Sequence, residues 1–244
     1  MSLRDQTALV TGAGQRIGEA IAVALAEAQV NVVVHYRHSQ SRAESLRDSL
    51  LARGVRAFAI QADFDNPDGA DSLFQRAQAE AGPIQILVNS ASEFQPEGLD
   101  AMTQPSLVQR LTVNAWSPFA LTRAFARQAV TGKVVNFIDS QIAGYDLTHA
   151  SYILSKHLLA TLTTMTALQY APAITVNAVA PGLILPPEGK DESYLTRLAQ
   201  VLPLKRHGGL LDITRAVCFL LESDFITGQV IYVDGGRHLI GGPR

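Results

Sequence analysis

Short apolar runs rich in Val and Ile recur along the chain and alternate with longer stretches whose apolar residues repeat at helical spacing. This alternation is typical of repeated β-α units, in which strands joined through helices run parallel. The strands predicted in this way are Thr7–Thr11, Val30–His35, Val55–Gln61, Ile84–Asn89, Lys133–Ile138, Ile174–Ala178 and Gln229–Val233. The helical stretches predicted between them are Arg16–Ala28, Ser41–Arg53, Pro67–Ala81, Gln104–Val130, His149–Tyr170 and Leu211–Glu222. The pattern therefore predicts an α/β fold with a seven-stranded parallel sheet flanked by helices.

One late segment, Gly182–Asp191, shows neither period. It contains Pro186, Pro187 and Gly189 and follows the sixth predicted strand. A long loop at such a place is either a lid over a substrate or an ordinary surface connection. The sequence leaves both interpretations of this segment open.

Composition narrows the class of protein. The chain has 244 residues, of which 47% are hydrophobic and 17% charged, which is too apolar for a disordered protein. A single domain over residues 1–244 is expected at this length. The 20 Lys and Arg against 22 Asp and Glu give a net charge of −2, which argues against nucleic acid as a partner.

The cysteine and histidine content bears on disulfides, on metal binding and on the cellular compartment. The single cysteine, Cys218, forms no internal disulfide, and His149, His157 and His207 have no partner at metal-ligand spacing, so no metal is predicted. No stretch reaches the ~18 apolar residues of a membrane helix, and a β-like run from Thr7 leaves no room for a signal peptide. We expect a cytoplasmic protein with no membrane partner.

The first predicted strand runs into a glycine-rich turn, TGAGQRIG at residues 11–18, and then into a helix. Glycine at Gly12, Gly14 and Gly18 keeps side chains away from a bound diphosphate, and the helix start offers free N–H groups. Such a turn also serves close packing alone, but its position after the first strand favours dinucleotide binding.

The second predicted strand ends in HYRHS, residues 35–39, without the Asp or Glu that binds both adenosine ribose hydroxyls. Arg37, with Ser39 and Arg16, is expected to hold a ribose phosphate instead, because guanidinium groups match phosphate oxygens. This predicts NADPH as the cofactor, and the alternative is a merely solvated strand end. Asp63, just past the third strand, is a candidate acceptor for the adenine amine, although Asp residues also begin turns.

Tyr152 and Lys156 are four residues apart in a predicted helix and therefore share one face. A phenol is a poor acid at neutral pH, but a nearby ammonium favours the phenolate and lowers its pKa. The pair predicts acid–base chemistry at Tyr152, although this spacing is also common on exposed helices.

In their order along the chain, TGAGQRIG, Asn89-Ser90-Ala91, Asn114, Tyr152 with Lys156, and Pro181-Gly182 resemble the motifs of the short-chain dehydrogenase/reductase family. The resemblance covers nearly the whole chain and implies a doubly wound Rossmann-type domain with strand order 3-2-1-4-5-6-7. It also implies that Tyr152 donates a proton, that Lys156 binds the nicotinamide ribose and lowers the Tyr152 pKa, that Asn114 holds a water, and that the protein is a homotetramer.

The residues expected to bind NADPH, from the turn, the second strand and this resemblance together, are Gly12, Gly14, Arg16, Ile17, Gly18, Tyr36, Arg37, His38, Ser39, Asp63, Asn89, Ser90, Ala91, Tyr152, Lys156, Pro181 and Gly182.

Two residues depart from the general family pattern and resemble its pteridine reductases. Arg16 stands where most members have glycine or alanine, and Asp139 stands where most place a serine that hydrogen-bonds a substrate carbonyl. Ser140 is the alternative candidate for that serine, but the register set by Asn136 and Tyr152 favours Asp139.

The segment Ala91-Ser92-Glu93-Phe94 resembles the part of pteridine reductases in which a serine and an aromatic ring contact the pterin, so Phe94 is expected to stack on that ring. Residues 60–64 and 234–239 are especially similar to bacterial dihydromonapterin reductases. The substrate-binding residues that this resemblance implies are Arg16, Ser92, Phe94, Asp139, Tyr152 and Leu183.

The sequence therefore predicts NADPH-dependent reduction of 7,8-dihydromonapterin, with weaker activity on dihydrofolate or dihydrobiopterin, in which Tyr152 and Asp139 supply the proton. One alternative is reduction of a ketone or acyl-thioester carbonyl, against which the missing serine counts. A second is a non-catalytic NADP-binding regulator, against which the retention of Tyr152, Lys156 and Asn114 counts.

Overall fold

Seven parallel strands form one sheet in a computed structural model that describes residues 3–128 and 130–240. The strands are β1 (Thr7–Thr11), β2 (Asn31–Tyr36), β3 (Ala57–Gln61), β4 (Ile86–Asn89), β5 (Gly132–Phe137), β6 (Ile174–Pro181) and β7 (Val230–Val233). Their order is β3-β2-β1-β4-β5-β6-β7, and each neighbouring pair is parallel. The predicted fold class and strand order are confirmed. Residues 1, 2, 129 and 241–244 of the predicted domain lie outside the described residues.

Within the described residues, eight α-helices connect the strands. They are α1 (Arg16–Glu27), α2 (Gln40–Leu51), α3 (Gly69–Ala81), α4 (Gln104–Leu111), α5 (Ser117–Ala126), α6 (Ala150–Tyr170), α7 (Glu192–Ala199) and α8 (Leu210–Glu222). Among the described residues, none is long and apolar enough to cross a bilayer, and no group of three His, Cys, Asp or Glu is placed to hold a metal ion.

Both faces of the sheet are covered by helices. Along β1, Ala8 and Val10 join the core that includes α1 and α8, whereas Leu9 joins the core that includes α3 and α5. Successive side chains on a strand point to opposite faces, so this alternation fixes the register of β1 in the sheet. Full burial of each such side chain stabilises the fold by about 1.5–3 kcal/mol.

The predicted helix Gln104–Val130 is interrupted. A π-helical segment, Thr112–Trp116, separates α4 from α5, and the Ser117 hydroxyl donates to the carbonyl of Thr112 at 3.0 Å. Pro118 stands in the first turn of α5 and has no N–H for a continuous helix. Insertions of this kind are frequent at functional sites, and this one carries Asn114.

The segment Gly182–Asp191 contains neither helix nor strand, and α7 follows it directly. Helix α7 was not predicted from the sequence. The Asp191 carboxylate caps its start by accepting a hydrogen bond from the N–H of Ser193 at 3.0 Å. Ile184 is buried in the core and Leu185 packs against it, so only residues 187–191 of the segment are exposed. Its role as a lid stays a prediction.

Polar and glycine residues follow the strands at one edge of the sheet. The glycine turn follows β1, Ser90 and Ala91 follow β4, Asp139 lies just beyond β5, Gly182 follows β6 and Asp234 follows β7. In open parallel sheets, ligands bind outside the carboxyl ends of the strands. The candidate site therefore lies along this edge.

Candidate active site

The turn after β1 is held by a buried histidine. The N–H of Gly12 donates to Nδ1 of His35 at 3.1 Å, and the N–H of Ala13 donates to the His35 carbonyl at 2.9 Å. Gly12 has φ +64°, and a Cβ there would lie 2.8 Å from Cα of Ala91. A Cβ on Gly14 would lie 2.4 Å from the Ser39 hydroxyl oxygen. A side chain at either position would collide with neighbouring protein, so these glycines let the turn pack closely against residues 39 and 91. The diphosphate of a dinucleotide is expected beside this turn at the start of α1, where Gln15 makes no side-chain capping bond.

Replacing Gly12 with Ala is expected to weaken NADPH binding by roughly tenfold, because the left-handed conformation costs about 1–2 kcal/mol and the new methyl displaces the segment at Ala91. Fluorescence titration of NADPH measures this loss. Gly54→Ala is the matched control, since Gly54 has φ +86° but open space around its Cβ position. That variant should lose stability without losing affinity for NADPH, and equal affinity losses in both variants would contradict the assignment.

Arg16 adopts a left-handed conformation with φ +57° at the start of α1. This backbone geometry explains why glycine is the usual residue here, since other residues enter this region at a cost. The exposed guanidinium donates through Nη2 to the carbonyl of Pro186 at 3.1 Å. Arg16 therefore ties the segment Gly182–Asp191 to α1, and the structure does not bring it into contact with Asp139 or Tyr152.

Arg37 is surrounded by carboxylates. Its Nη1 lies 2.5 Å from Glu93, its Nη2 lies 2.5 Å from Asp65, and its Nε lies 2.9 Å from Asp63. Glu93 also pairs with Arg110. Two arginines against three acids give 2 − 3 = −1, a local charge that opposes a phosphate. This charge disfavours the prediction that Arg37 holds the ribose phosphate, which stays a prediction, and the Arg37 side chain links β2 to the segment after β4. Asp63 as a partner of the adenine amine stays a prediction.

Arg42 is the cation at the glycine turn that the sequence analysis missed. Its Nη1 donates to Oε1 of Gln15 at 3.0 Å, and Gln15 immediately precedes α1. His38 is exposed, and Ser39 precedes α2 without capping it through its side chain. These three residues surround the place where the ribose phosphate is expected, and no sequence motif marks Arg42.

Arg42→Gln is expected to lower NADPH affinity by about tenfold or more while leaving NADH affinity unchanged, because a charge-assisted hydrogen bond contributes about 1.5–3 kcal/mol. Titration with both nucleotides measures the change in preference. Arg37→Gln is the matched comparison and should lower the melting temperature while the preference for NADPH persists. If Arg37→Gln alone abolishes the preference for NADPH, then Arg37 and not Arg42 holds the ribose phosphate.

Asn114 is fully committed to protein partners. Its Oδ1 accepts from the N–H of Glu93 at 2.8 Å and from the Ser92 hydroxyl at 3.2 Å. Its Nδ2 donates to the Glu93 carbonyl and to the Ser155 hydroxyl, both at 3.0 Å. A side-chain amide has two donors and two acceptor sites, so no capacity remains for a water. The side chain therefore positions the 92–93 segment against α6, and the prediction that Asn114 holds a water is left to its backbone and stays a prediction.

The residues at the end of β4 and just after it are held by hydrogen bonds within the protein. The N–H groups of Ser90 and Ala91 both donate to the Thr11 hydroxyl at 3.0 Å. The Asn89 amide donates to Oδ1 of Asn136 at 2.8 Å and is buried. Asn89 therefore stabilises the packing of β4 against β5, while Ala91 faces the glycine turn.

Tyr152 and Asp139 meet at the centre of the edge. The Tyr152 hydroxyl donates to Oδ2 of Asp139 at 3.0 Å, and Oδ1 of the same carboxyl accepts from the N–H of Gln141 at 2.8 Å. Burial raises the pKa of Asp139 above its ordinary value, although these hydrogen bonds and the charges of Arg237 and Lys156 act in the opposite direction. Ser140, the alternative considered for this position, is wholly buried.

Lys156 is buried beneath this pair. Its Nζ donates to the carbonyl of Phe137 at 2.8 Å and lies 5.5 Å from the centre of the Tyr152 ring. Burial lowers the pKa of Lys156 to about 8, against the attraction of Asp139. Burial and then the negative charge of Asp139 raise the pKa of Tyr152 well above its usual value. Lys156 is not among the groups that shift the Tyr152 pKa in this structure, and the expectation that it lowers this pKa stays a prediction.

Phe94 lies at the mouth of the site and is 50% exposed. Its ring meets Tyr152 edge to face, with 4.7 Å between ring centroids, and it stacks on His149 at 4.2 Å. His149 in turn lies 2.8 Å from the Asp146 carboxylate. The place of His149 beside Phe94 was not predicted from the sequence, in which its only signal is its position three residues before Tyr152. Stacking of Phe94 on a substrate stays a prediction, since one of its faces already meets an imidazole.

The remaining predicted residues line the edge by their backbones. Gly182 lies so close to Asp234 that a Cβ there would be 2.6 Å from the Asp234 Cα, and Pro181 pairs with Val233 at the end of the sheet. The Leu183 carbonyl accepts from the N–H of Gly208 at 3.0 Å. Ile17 and Tyr36, which were predicted to bind NADPH, pack against the core that includes α1. Gly18 is buried within α1.

Comparison with known proteins agrees with this arrangement. Residues 12–238 match a family model described as enoyl-(acyl carrier protein) reductase. The chain is 32% identical over 243 residues to the 3-oxoacyl-(acyl-carrier-protein) reductase FabG of Staphylococcus epidermidis, covering 96% of this chain and 100% of that one.

Solved structures give the same result. The structure of FolM alternative dihydrofolate reductase 1 from Brucella canis, complexed with NADP, is 33% identical with a TM-score of 0.93, covering 99% of this chain and 97% of that one. The angucycline C-6 ketoreductase LanV with bound NADP is 28% identical with a TM-score of 0.90, covering 98% and 97% of the two chains. Together with the sheet order and the Tyr152 and Lys156 pair, these likenesses show that the chain belongs to the short-chain dehydrogenase/reductase family.

Proposed function

We propose that this protein uses NADPH to reduce a 7,8-dihydropterin, with dihydromonapterin as the preferred substrate and dihydrofolate or dihydrobiopterin as weaker ones. The observation that carries the proposal is the hydrogen bond from the Tyr152 hydroxyl to the buried carboxyl of Asp139 at 3.0 Å. Most members of the family have a neutral serine at this position. The similarity to a protein named as an alternative dihydrofolate reductase supports the same substrate class.

The protein is an NADP-dependent reductase. The position of the glycine turn after β1, the start of α1 and the cation Arg42 beside it fit the diphosphate and phosphate groups of NADP. Structural relatives from this family contain NADP. When bound, NADPH supplies the hydride, and all proton chemistry is left to the side chains of this chain.

Reduction of the imine of a 7,8-dihydropterin requires a proton at the ring nitrogen next to the carbon that receives hydride. Tyr152 stays protonated over the neutral range, since its pKa is raised by burial and by Asp139, and it is therefore an O–H donor. Burial raises the Asp139 pKa above its ordinary value, and the hydrogen bond between the two groups is the route by which this carboxyl returns a proton to Tyr152. One proton then accompanies each hydride. The ionised Asp139 that remains accepts hydrogen bonds from the Tyr152 hydroxyl and the N–H of Gln141, and it takes up a proton from solvent before the next turnover.

Phe94 and Arg110 define the rest of the pocket. Phe94 offers its exposed edge above Tyr152, where a flat heteroaromatic ring gains about 0.5–1.5 kcal/mol from aromatic contact beyond area burial. Arg110 and Arg37 hold Glu93, which fixes the segment that carries Phe94. The pocket wall is therefore anchored by ion pairs rather than by loop packing alone.

Reduction of a ketone or acyl-thioester carbonyl is the second candidate. The similarity to FabG and to the ketoreductase LanV favours it, as does the Tyr152 and Lys156 pair. Asp139 counts against it, because an ionised carboxyl beside the developing oxyanion of a carbonyl substrate repels that charge.

The candidates are separated by following NADPH absorbance with 7,8-dihydromonapterin, dihydrofolate or acetoacetyl thioester as the second substrate. Oxidation of NADPH with the pterin at the highest kcat/KM supports the proposal. Oxidation with the thioester alone supports the second candidate. Tight NADPH binding without turnover of any substrate would support a regulatory protein and contradict both.

We also propose that the protein works as a homotetramer. Met165 and Leu168 on α6 are 61% and 84% exposed, and Trp116 is 48% exposed beside them on the chain that joins α4 to α5. Exposed apolar side chains of this size are typical of surfaces that pack against another subunit.

A further inference from the structure

The C-terminal turn carries a cation toward the catalytic carboxyl. Asp139 lies just beyond β5 and precedes a short 3₁₀ turn, Ser140–Ala143. A second 3₁₀ turn, Arg237–Leu239, follows β7 and packs against the first. Because β5, β6 and β7 are adjacent parallel strands, their carboxyl ends bring Asp139 and Arg237 to the same corner of the sheet.

The turn that carries Arg237 is held firmly. The Asp234 carboxylate accepts from the N–H of Gly236 at 3.0 Å and from the N–H of His238 at 2.7 Å. The His238 ring lies 2.9 Å from the same carboxylate and stacks on Tyr232 at 4.2 Å. Arg237 stands between these two residues, so the hydrogen bonds of Asp234 fix the position of its backbone.

Arg237 has no ion-pair partner within the described ranges, residues 3–128 and 130–240. Its side chain is partly buried, and its charge acts on Asp139. A partly buried cation without an ion-pair partner is screened less than one in water, so its charge acts on acids nearby. Asp234, on the turn of Arg237 itself, is one of these acids, and Asp139, on the turn packed against it, is the one that meets Tyr152.

We propose that Arg237 is a positioning residue of the active site, whose guanidinium charge favours the ionised form of Asp139 and so sets the pH range in which this carboxyl exchanges a proton with Tyr152. The inference rests on the function proposed above, in that the carboxyl serves the proton step. The residue acts through Asp139 and makes no covalent or redox step of its own.

Other charged groups face the carboxyl as well. From α6, Lys156 also favours the ionised form, and the Tyr152 hydroxyl donates to it. Asp146 acts on Tyr152 rather than on Asp139, and it is paired with His149. Of the two cations, Lys156 is committed to the Phe137 carbonyl, so Arg237 is the one whose removal leaves the proton-donating pair intact.

Carbon-13 NMR of Asp carboxyls in the full-length protein tests this, with Asp139→Asn used to assign the Asp139 resonance. In Arg237→Gln the midpoint of the Asp139 titration is expected to move to higher pH, and Arg237→Lys should restore it in part. Arg206→Gln is the matched control, because it removes an exposed cation from the segment beside the same turn and should leave the midpoint where it is. An unchanged midpoint in Arg237→Gln would overturn the inference.

Kinetics give a second and independent measurement. Removing Arg237 raises the Asp139 pKa, so the limb of the kcat profile that reports this carboxyl should move to higher pH while NADPH affinity is unchanged. A shifted NMR midpoint in a protein without pterin reductase activity would support Arg237 and contradict the proposed function. A fall of kcat in Arg237→Gln that is equal at all pH values, and that Arg237→Lys does not restore, would indicate a structural role and overturn the inference.

Discussion

Tyr152→Phe is expected to lower kcat for dihydropterin reduction by about 10²- to 10⁴-fold, the usual contribution of a positioned acid–base group. The substitution removes one oxygen from a buried ring and leaves the ring contacts with Phe94 and Lys156 in place. NADPH affinity should therefore remain that of the parent protein. Steady-state kinetics and fluorescence titration on the same preparation measure both quantities.

Tyr145→Phe is the control for this change, because Tyr145 is 78% exposed and its ring lies near that of His157. It should have full activity. The loss of the Tyr152 hydroxyl also removes a hydrogen bond from a buried carboxyl, at a cost in the free energy of unfolding of about 1–3 kcal/mol. A Tyr152→Phe protein that keeps its kcat would show that the proton comes from elsewhere.

Asp139→Ser is expected to exchange one substrate class for another. Without the carboxyl, proton return to Tyr152 is lost, and turnover of dihydromonapterin should fall by about 10²-fold or more. A serine hydroxyl is a neutral donor that suits a developing oxyanion, so reduction of an acetoacetyl thioester should rise above that of the parent protein. Measuring kcat/KM on both substrates gives the change in specificity directly.

Asp139→Asn separates charge from shape in this experiment. It keeps the size of the side chain and a hydrogen-bond acceptor for the Tyr152 hydroxyl but has no titratable proton. We expect it to be as poor a pterin reductase as the serine variant and to gain no thioester activity. If both variants retain pterin turnover, Asp139 takes no part in the chemistry and the proposed function fails.

Periodicity alone was sufficient to predict the sheet. Each strand lies within a few residues of its predicted place because a strand buried on both faces forms a continuous apolar run, as Val32–Val34 does. The short helix α7 was not predicted, because eight residues hold too few apolar positions to show a helical period. The break at Thr112–Trp116 was also missed, since its apolar residues continue the pattern of the helices on either side.

The site was predictable where partners are close in sequence or follow a motif, as Tyr152 and Lys156 do. It was not predictable where charges from distant segments meet. Arg37 was expected to bind phosphate because it follows a strand, yet its partners Asp65 and Glu93 stand 28 and 56 residues further along the chain. Nothing in the sequence near Asn114 reveals that its amide is saturated by the 92–93 segment and α6. Such pairings depend on the tertiary structure.

His35 gives the glycine turn a sensitivity to acid. Burial lowers the pKa of His35 to about 4, and its Nδ1 accepts the Gly12 N–H only while that nitrogen carries no proton. In the unfolded chain the imidazole titrates near pH ~6.5, so the unfolded state takes up the proton first and stability falls as the pH drops from there toward 4. One imidazole thus links the glycine turn to stability, and acidification toward pH 4 is expected to lower both the free energy of unfolding and the affinity for the nucleotide.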